Sequence, residues 1–150
     1  MRDPFRLLAQ RIGALCPPHA PALSEGKAAV GRYGEECAAR ELIRRGSLIL
    51  GRNAHVGGHE VDIIAEDREC IIFCEVKTRT LTEEDLRRFG RPAEAVRPEQ
   101  IRHLRTAAGA YYAAKSPKKP LRFDIVEIYL RPDTEKATLD RCEILTDAFR

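Results

Sequence analysis

HEVDIIAEDRECIIFCEVKTR, residues His59 to Arg79, is the stretch whose reading decides the fold. Two β-branched, apolar runs flank the polar residues Glu66 to Glu69, which is the pattern of two strands joined by a hairpin turn. A turn centred between Arg68 and Glu69 brings Asp62 opposite Glu75 and Glu60 opposite Lys77. Alternation then gives Glu60 and Asp62 one face, and Glu75 and Lys77 one face. A register slip of one residue removes the facing pair.

Strands this apolar read as buried on both faces, where a charge is costly unless paired or bound to a metal. Like charges directly opposed destabilise a strand pair. A hard divalent cation, Mg²⁺ or Mn²⁺, held between Asp62 and Glu75 resolves both costs, because Mg²⁺ takes one or two carboxylates and keeps waters for the rest. Such an ion polarises a phosphoryl oxygen and activates water, while Lys77 stabilises developing charge. That is the chemistry of phosphodiester hydrolysis.

As a bare pattern the triplet Glu75-Val76-Lys77 reads more simply as a structural ion pair, since 33% of the chain is charged. The setting shifts the balance. Cys70 to Val76 is apolar apart from Glu75, and a solvated edge strand has no need of Ile71-Ile72-Phe73. Charges in apolar surroundings are candidates for function.

Upstream, Lys27 to Arg45 repeats apolar residues at Val30, Tyr33, Cys37, Ala38 and Leu42, with Gly46 placed to end the helix. Glu35 sits beside this stripe, and Gly31 and Ala39 leave it no i±4 base to pair with; Glu36 points about 100° away, toward solvent. Ser47 to Val56 is expected to be a strand leading through Gly57-Gly58 into the hairpin. Thr78 to Pro92 reads as a polar, substrate-contacting loop. Pro98 to Ala114 shows Ile101, Leu104, Ala108 and Tyr111 at helical spacing, with Gln100 and His103 able to approach the site. Leu121 to Leu130 is expected to be a central strand, in which Asp124 pairs with Arg122 or with a neighbouring helix and stays outside the catalytic set, and Ala137 to Leu145 an edge strand. At the start, Phe5, Leu8, Ile12 and Leu15 mark a short amphipathic helix over Pro4 to Leu15, before the proline-rich break Cys16 to Ala22. This opening is an accessory that docks a partner or a packing helix.

The blocks GRYGEECAARELIRRG (Gly31 to Gly46), GHEVDIIA (Gly58 to Ala65), FCEVKTR (Phe73 to Arg79), GRPAEAV (Gly90 to Val96) and RFDIVEI (Arg122 to Ile128) resemble, in order, those of the YraN-like family of bacterial proteins. That family is similar to archaeal Holliday-junction resolvases and to PD-(D/E)XK nucleases. The resemblance covers Ala28 to the C-terminus and implies a restriction-endonuclease-like α/β fold, an αβββαβ core with a central mixed sheet flanked by helices. It divides the chain into a helical extension and linker over 1–25 and a nuclease-like domain over 26–150. It maps the motif's first Asp onto Asp62, its second acid onto Glu75, its Lys onto Lys77 and a first-helix acid onto Glu35. Two departures stand out: Val61 replaces the Pro common before the first Asp, and Gln100 stands where relatives usually show Lys.

Composition is consistent with one domain of 150 residues. No apolar run reaches the length of a membrane span or a signal peptide, so a cytoplasmic protein with no membrane partner is expected. Five scattered cysteines with no Cys-x-x-Cys pair do not suggest zinc, and Cys70 and Cys74 read as core thiols. His55 and His59 are expected in a loop. Net charge is only +3, but Arg79, Arg87, Arg88 and Arg91 follow the acidic centre, with Arg97, Arg102 and Arg105 beyond, and Lys115, Lys118, Lys119 and Arg122 form a second group. With Gln100, the first four are the expected nucleic-acid contacts. Three readings stand: a Mg²⁺-dependent nuclease on branched or structured DNA, a nucleic-acid-binding module with this fold and little or no cleavage, and an interaction protein with a purely structural charge cluster. A homodimer suits a two-fold-symmetric junction.

Overall fold

A computed structural model describes residues 3–82, 84 and 96–150. Among these residues three longer α-helices, α1 (Pro4–Gly13), α2 (Gly26–Arg44) and α3 (Pro98–Lys115), accompany five strands, β1 (Leu48–Val56), β2 (His59–Glu66), β3 (Ile71–Thr80), β4 (Leu121–Pro132) and β5 (Ala137–Leu145). The strands form one sheet in the order β1-β2-β3-β4-β5. Only β3 and β4 run parallel, as expected of strands joined through a helix; the other pairs are antiparallel. This is the mixed α/β sheet of a restriction-endonuclease-like core.

Local chemistry explains each connection. The β1–β2 hairpin turns on Gly57 and Gly58, both at positive φ (60° and 80°), the requirement of a two-residue turn. Any side chain at Gly57 would also press on Ala110 of α3, at 2.9 Å from its Cβ. The β2–β3 turn is held by Asp67, whose Oδ1 accepts from the Glu69 and Cys70 amides at 2.8 and 2.7 Å. Helix α2 ends at Gly46 (φ 93°), with Gly46 N donating to Ile43 O and Ser47 N to Leu42 O, both 2.9 Å.

The β2–β3 register is the expected one: Ile63, Ile64, Ala65 and Glu66 pair with Cys74, Phe73, Ile72 and Ile71. Alternation then sends two sets of side chains to two helices. Tyr33, Cys37, Ala38 and Leu42 of α2 pack with Ile63, Ile72, Cys74, Val126 and Ile128, and Leu104, Ala107 and Ala108 of α3 pack with Ile64, Ile71 and Phe73. The sheet is therefore covered on both faces, which accounts for the fully buried run Ile71–Cys74.

Several expectations need correction. Thr78 to Thr80 continue β3 where a loop was expected; the rest of that loop is described only at Leu81, Thr82 and Glu84. His55 and His59 lie on β1 and β2, and His59 stacks on His103 of α3 with centroids 4.1 Å apart. Helix α1 stops at Gly13, and its apolar stripe does not pack: Phe5, Leu8, Ile12 and Leu15 are all exposed. All five cysteines are free.

Candidate active site

Burial along β3 changes at Glu75: the four residues before it are buried, and Glu75 to Arg79 are half-buried. The site lies at this carboxyl-terminal half of a parallel strand, the end at which α/β sheets leave room for ligands. Regular pairing of β2 with β3 stops at Ile63 and Cys74. In the next position the Asp62 side chain replaces the backbone, its Oδ2 accepting from the Val76 amide at 2.7 Å. The strands part there, so Asp62 and Glu75 meet at the mouth of the split. Glu60, expected opposite Lys77, turns instead to His55 at 3.6 Å.

Glu75 is held from two sides. Its Oε1 accepts from Lys77 Nζ at 3.1 Å and from Gln100 Nε2 at 2.9 Å. The other end of the Gln100 amide accepts from the Arg97 backbone N–H at 3.3 Å, at the start of α3. Gln100 thus ties a helix N-terminus to Glu75, a bridge that needs a donor and an acceptor in one side chain. A lysine in its place has no acceptor.

Glu35 reaches the same centre from α2. Its neighbour Gly34 explains how: a Cβ at Gly34 would overlap the Thr78 hydroxyl, so the helix lies directly on β3 at this point. Glu36, by contrast, is ion-paired with Arg40 at 2.8 Å and Arg52 at 2.5 Å, and is not the solvent residue expected.

The electrostatics single out Asp62. Burial, then repulsion from Glu75 and Glu35, raises its pKa to about 7, against the opposing pull of the Val76 N–H and of Lys77. Burial is the larger cause, and the two neighbouring acids add to it beyond what Lys77 offsets. Among the described residues no three His, Cys, Asp or Glu side chains stand together closely enough to hold a metal by themselves. Asp62 and Glu75 nonetheless suit Mg²⁺, which needs one or two carboxylates and completes its shell with water and phosphate oxygens. Glu35 contributes charge and is not part of that pair.

Other expected contacts separate. Arg79 shares the β3 face of Glu75 and Lys77. Arg87, Arg88 and Arg91 lie outside the described residues. Arg97, Arg102 and Arg105 are exposed on α3. The second basic group splits: Lys119 donates to Glu66 Oε1 and Asp67 O, both at 2.7 Å, and Arg122 grips Asp124 and Asp67, so these two cations are structural. Neither the Val76 amide nor the Gly34–Thr78 approach is legible in the chain, because both depend on where α2 and β2 come to rest.

Residues 34–128, which contain Glu35, Asp62, Glu75, Lys77 and Gln100, match the uncharacterised protein family UPF0102. The chain belongs to that family. A UPF0102 protein of Symbiobacterium thermophilum is 39% identical over 121 residues, 80% of this chain and 95% of the relative. One from Chlorobium phaeobacteroides is 39% identical over 122 residues, 80% and 93% of the two chains. Another, from Phocaeicola vulgatus, reaches 44% over 98 residues, 65% and 77%. Helix α1 precedes the matched residues. No helix among the described residues of this UPF0102 protein is long and apolar enough to cross a membrane.

Proposed function

We propose that this UPF0102 protein is a metal-dependent nuclease-like protein that acts on structured or branched DNA, in repair or recombination. The observation that carries the reading is the surplus negative charge at the mouth of the β2–β3 split, where Asp62, Glu75 and Glu35 converge on a centre containing Lys77.

Asp62 and Glu75 would hold Mg²⁺ or Mn²⁺, which when bound supplies Lewis-acid activation of a phosphodiester and of water. The chain's own contribution is orientation. The Val76 amide fixes the Asp62 carboxylate, and Gln100 and Lys77 fix Glu75. Lys77 keeps its ammonium beside the carboxylates, where it stabilises charge developing on the phosphate. Arg79, with Arg87, Arg88 and Arg91, supplies cations for the backbone of the substrate, and a homodimer matches the symmetry of a junction.

Branched and flapped DNA, end-labelled and incubated with Mg²⁺ or Mn²⁺, tests the reading. Cleavage is expected from the wild type and lost in Asp62→Asn and Lys77→Ala with the fold intact. Cleavage that persists unchanged in both variants contradicts it. Salt-sensitive binding without cleavage by the wild type assigns the fold to a binding module instead.

A further inference from the structure

Helix α1 is docked the wrong way round for a packing helix. Its polar face holds it to β1: the Gln10 side chain accepts from Ile49 N at 2.8 Å and donates to Ile49 O at 2.9 Å, and Arg6 donates to Ile49 O at 3.1 Å. Its apolar face points outward, with Phe5 at 82%, Leu8 at 57%, Ile12 at 59% and Leu15 at 80% exposure. Leu15 then leads into a mostly apolar cavity of about 500 Å³ between α1, α2 and β5, whose charged wall is Arg11, Arg40 and the Arg44–Glu41 pair.

Charge narrows what can cover this face. Pro4 to Ser24 contains no Asp or Glu, in a chain that is one-third charged, and carries Arg6 and Arg11. Exposed Arg11 lies to one side of the stripe, whereas Arg44 is already paired with Glu41 at 2.7 Å. A second copy is a poor fit, since a ten-residue helix is roughly 15 Å long and two such stripes bury far less than the ~1,200 Å² of a stable interface. An interfacial helix needs an apolar face, flanking arginines and no acids, and gains from anionic headgroups.

We propose that α1 is a surface anchor for anionic phospholipid, with Phe5, Leu8, Ile12 and Leu15 entering the acyl boundary and Arg11 meeting headgroup phosphates. The protein lies on the bilayer without crossing it. This goes beyond the expectation of no membrane partner, which rested on the absence of a span.

Co-sedimentation of the full chain with phosphatidylglycerol/phosphatidylcholine vesicles, and with phosphatidylcholine alone, tests this. Binding is expected on the mixed vesicles, weakened by salt and on neutral lipid. Leu8→Glu and Ile12→Glu should each weaken it by at least about tenfold, the worth of one buried side chain, and Arg11→Glu should weaken it selectively on the mixed vesicles. Because these positions are exposed, the thermal midpoint should be unchanged. No sedimentation of the wild type, or equal binding by Leu8→Glu and Ile12→Glu, overturns the proposal. So does a wild-type dimer that these substitutions convert to monomer without any vesicle binding.

Discussion

Arg122-x-Asp124 on β4 and Glu75-x-Lys77 on β3 are the same sentence in sequence: one acid and one base, two residues apart on one face of a buried strand. In the fold they differ completely. Asp124 is 1% exposed and satisfied, with Arg122 Nε and Nη2 both at 2.9 Å and the Asp147 amide at 2.9 Å. The Glu75–Lys77 pair instead faces a second acid, Asp62, with a third, Glu35, close behind. A structural acid has its charge answered by the chain; the acid at a candidate site is left in surplus, which is what a cation and a polyanionic substrate would use.

The contrast can be broken at its structural pole first. Asp124→Ala leaves Arg122 with Asp67 alone and strands the Asp147 N–H, so a loss of about 2–4 kcal/mol is expected in denaturant unfolding. A loss under ~1 kcal/mol would mean that the network is dispensable.

Asp62→Asn should do the reverse. In the folded chain Asp62 takes up its proton at about 7, against 3.8 ordinarily. Between those values the folded state holds a proton that the unfolded state lacks, so stability falls as pH rises from the lower value to the upper. Above it the wild type bears the full cost of ionising Asp62, and asparagine does not. Asp62→Asn should therefore gain roughly 1–3 kcal/mol at pH 8 in metal-free buffer and nothing below the lower value. A variant less stable than wild type at pH 8 would place Asp62 with Asp124.

Gly34→Ala pushes α2 off Thr78 and should cost ~1–2 kcal/mol by overpacking. Adding Thr78→Ala should recover part of that loss; additive losses would show that the close approach is unimportant. The smallest effect is expected of Gln100→Ala, about 1 kcal/mol from the lost cap and the lost hydrogen bond to Glu75.

Much of this arrangement was legible in the chain. Turn length and apolar alternation fixed the β2–β3 register, and the i,i+2 spacing of Arg122 and Asp124 announced their pairing. Gly57-Gly58 marked a tight turn because two positive φ angles demand it. What periodicity cannot see is where a helix lands across a sheet. The approach of Glu35 depends on Gly34 meeting Thr78, and the end of the β2–β3 ladder depends on Asp62 capturing a backbone amide. The α1 stripe is plainly apolar in sequence, but its outward direction follows from Gln10 and Arg6 binding Ile49. Lys119 meets the same limit: a surface lysine and a structural one look alike in sequence until Glu66 is seen beside it.

The central claim is that the surplus charge around Asp62 is a place for a divalent cation. Calorimetric titration of Mn²⁺ into the wild type and into Asp62→Asn at pH 8 tests it most directly. Saturable binding by the wild type, lost in Asp62→Asn, is the predicted result. No binding by the wild type, or the same isotherm from both proteins, would contradict it.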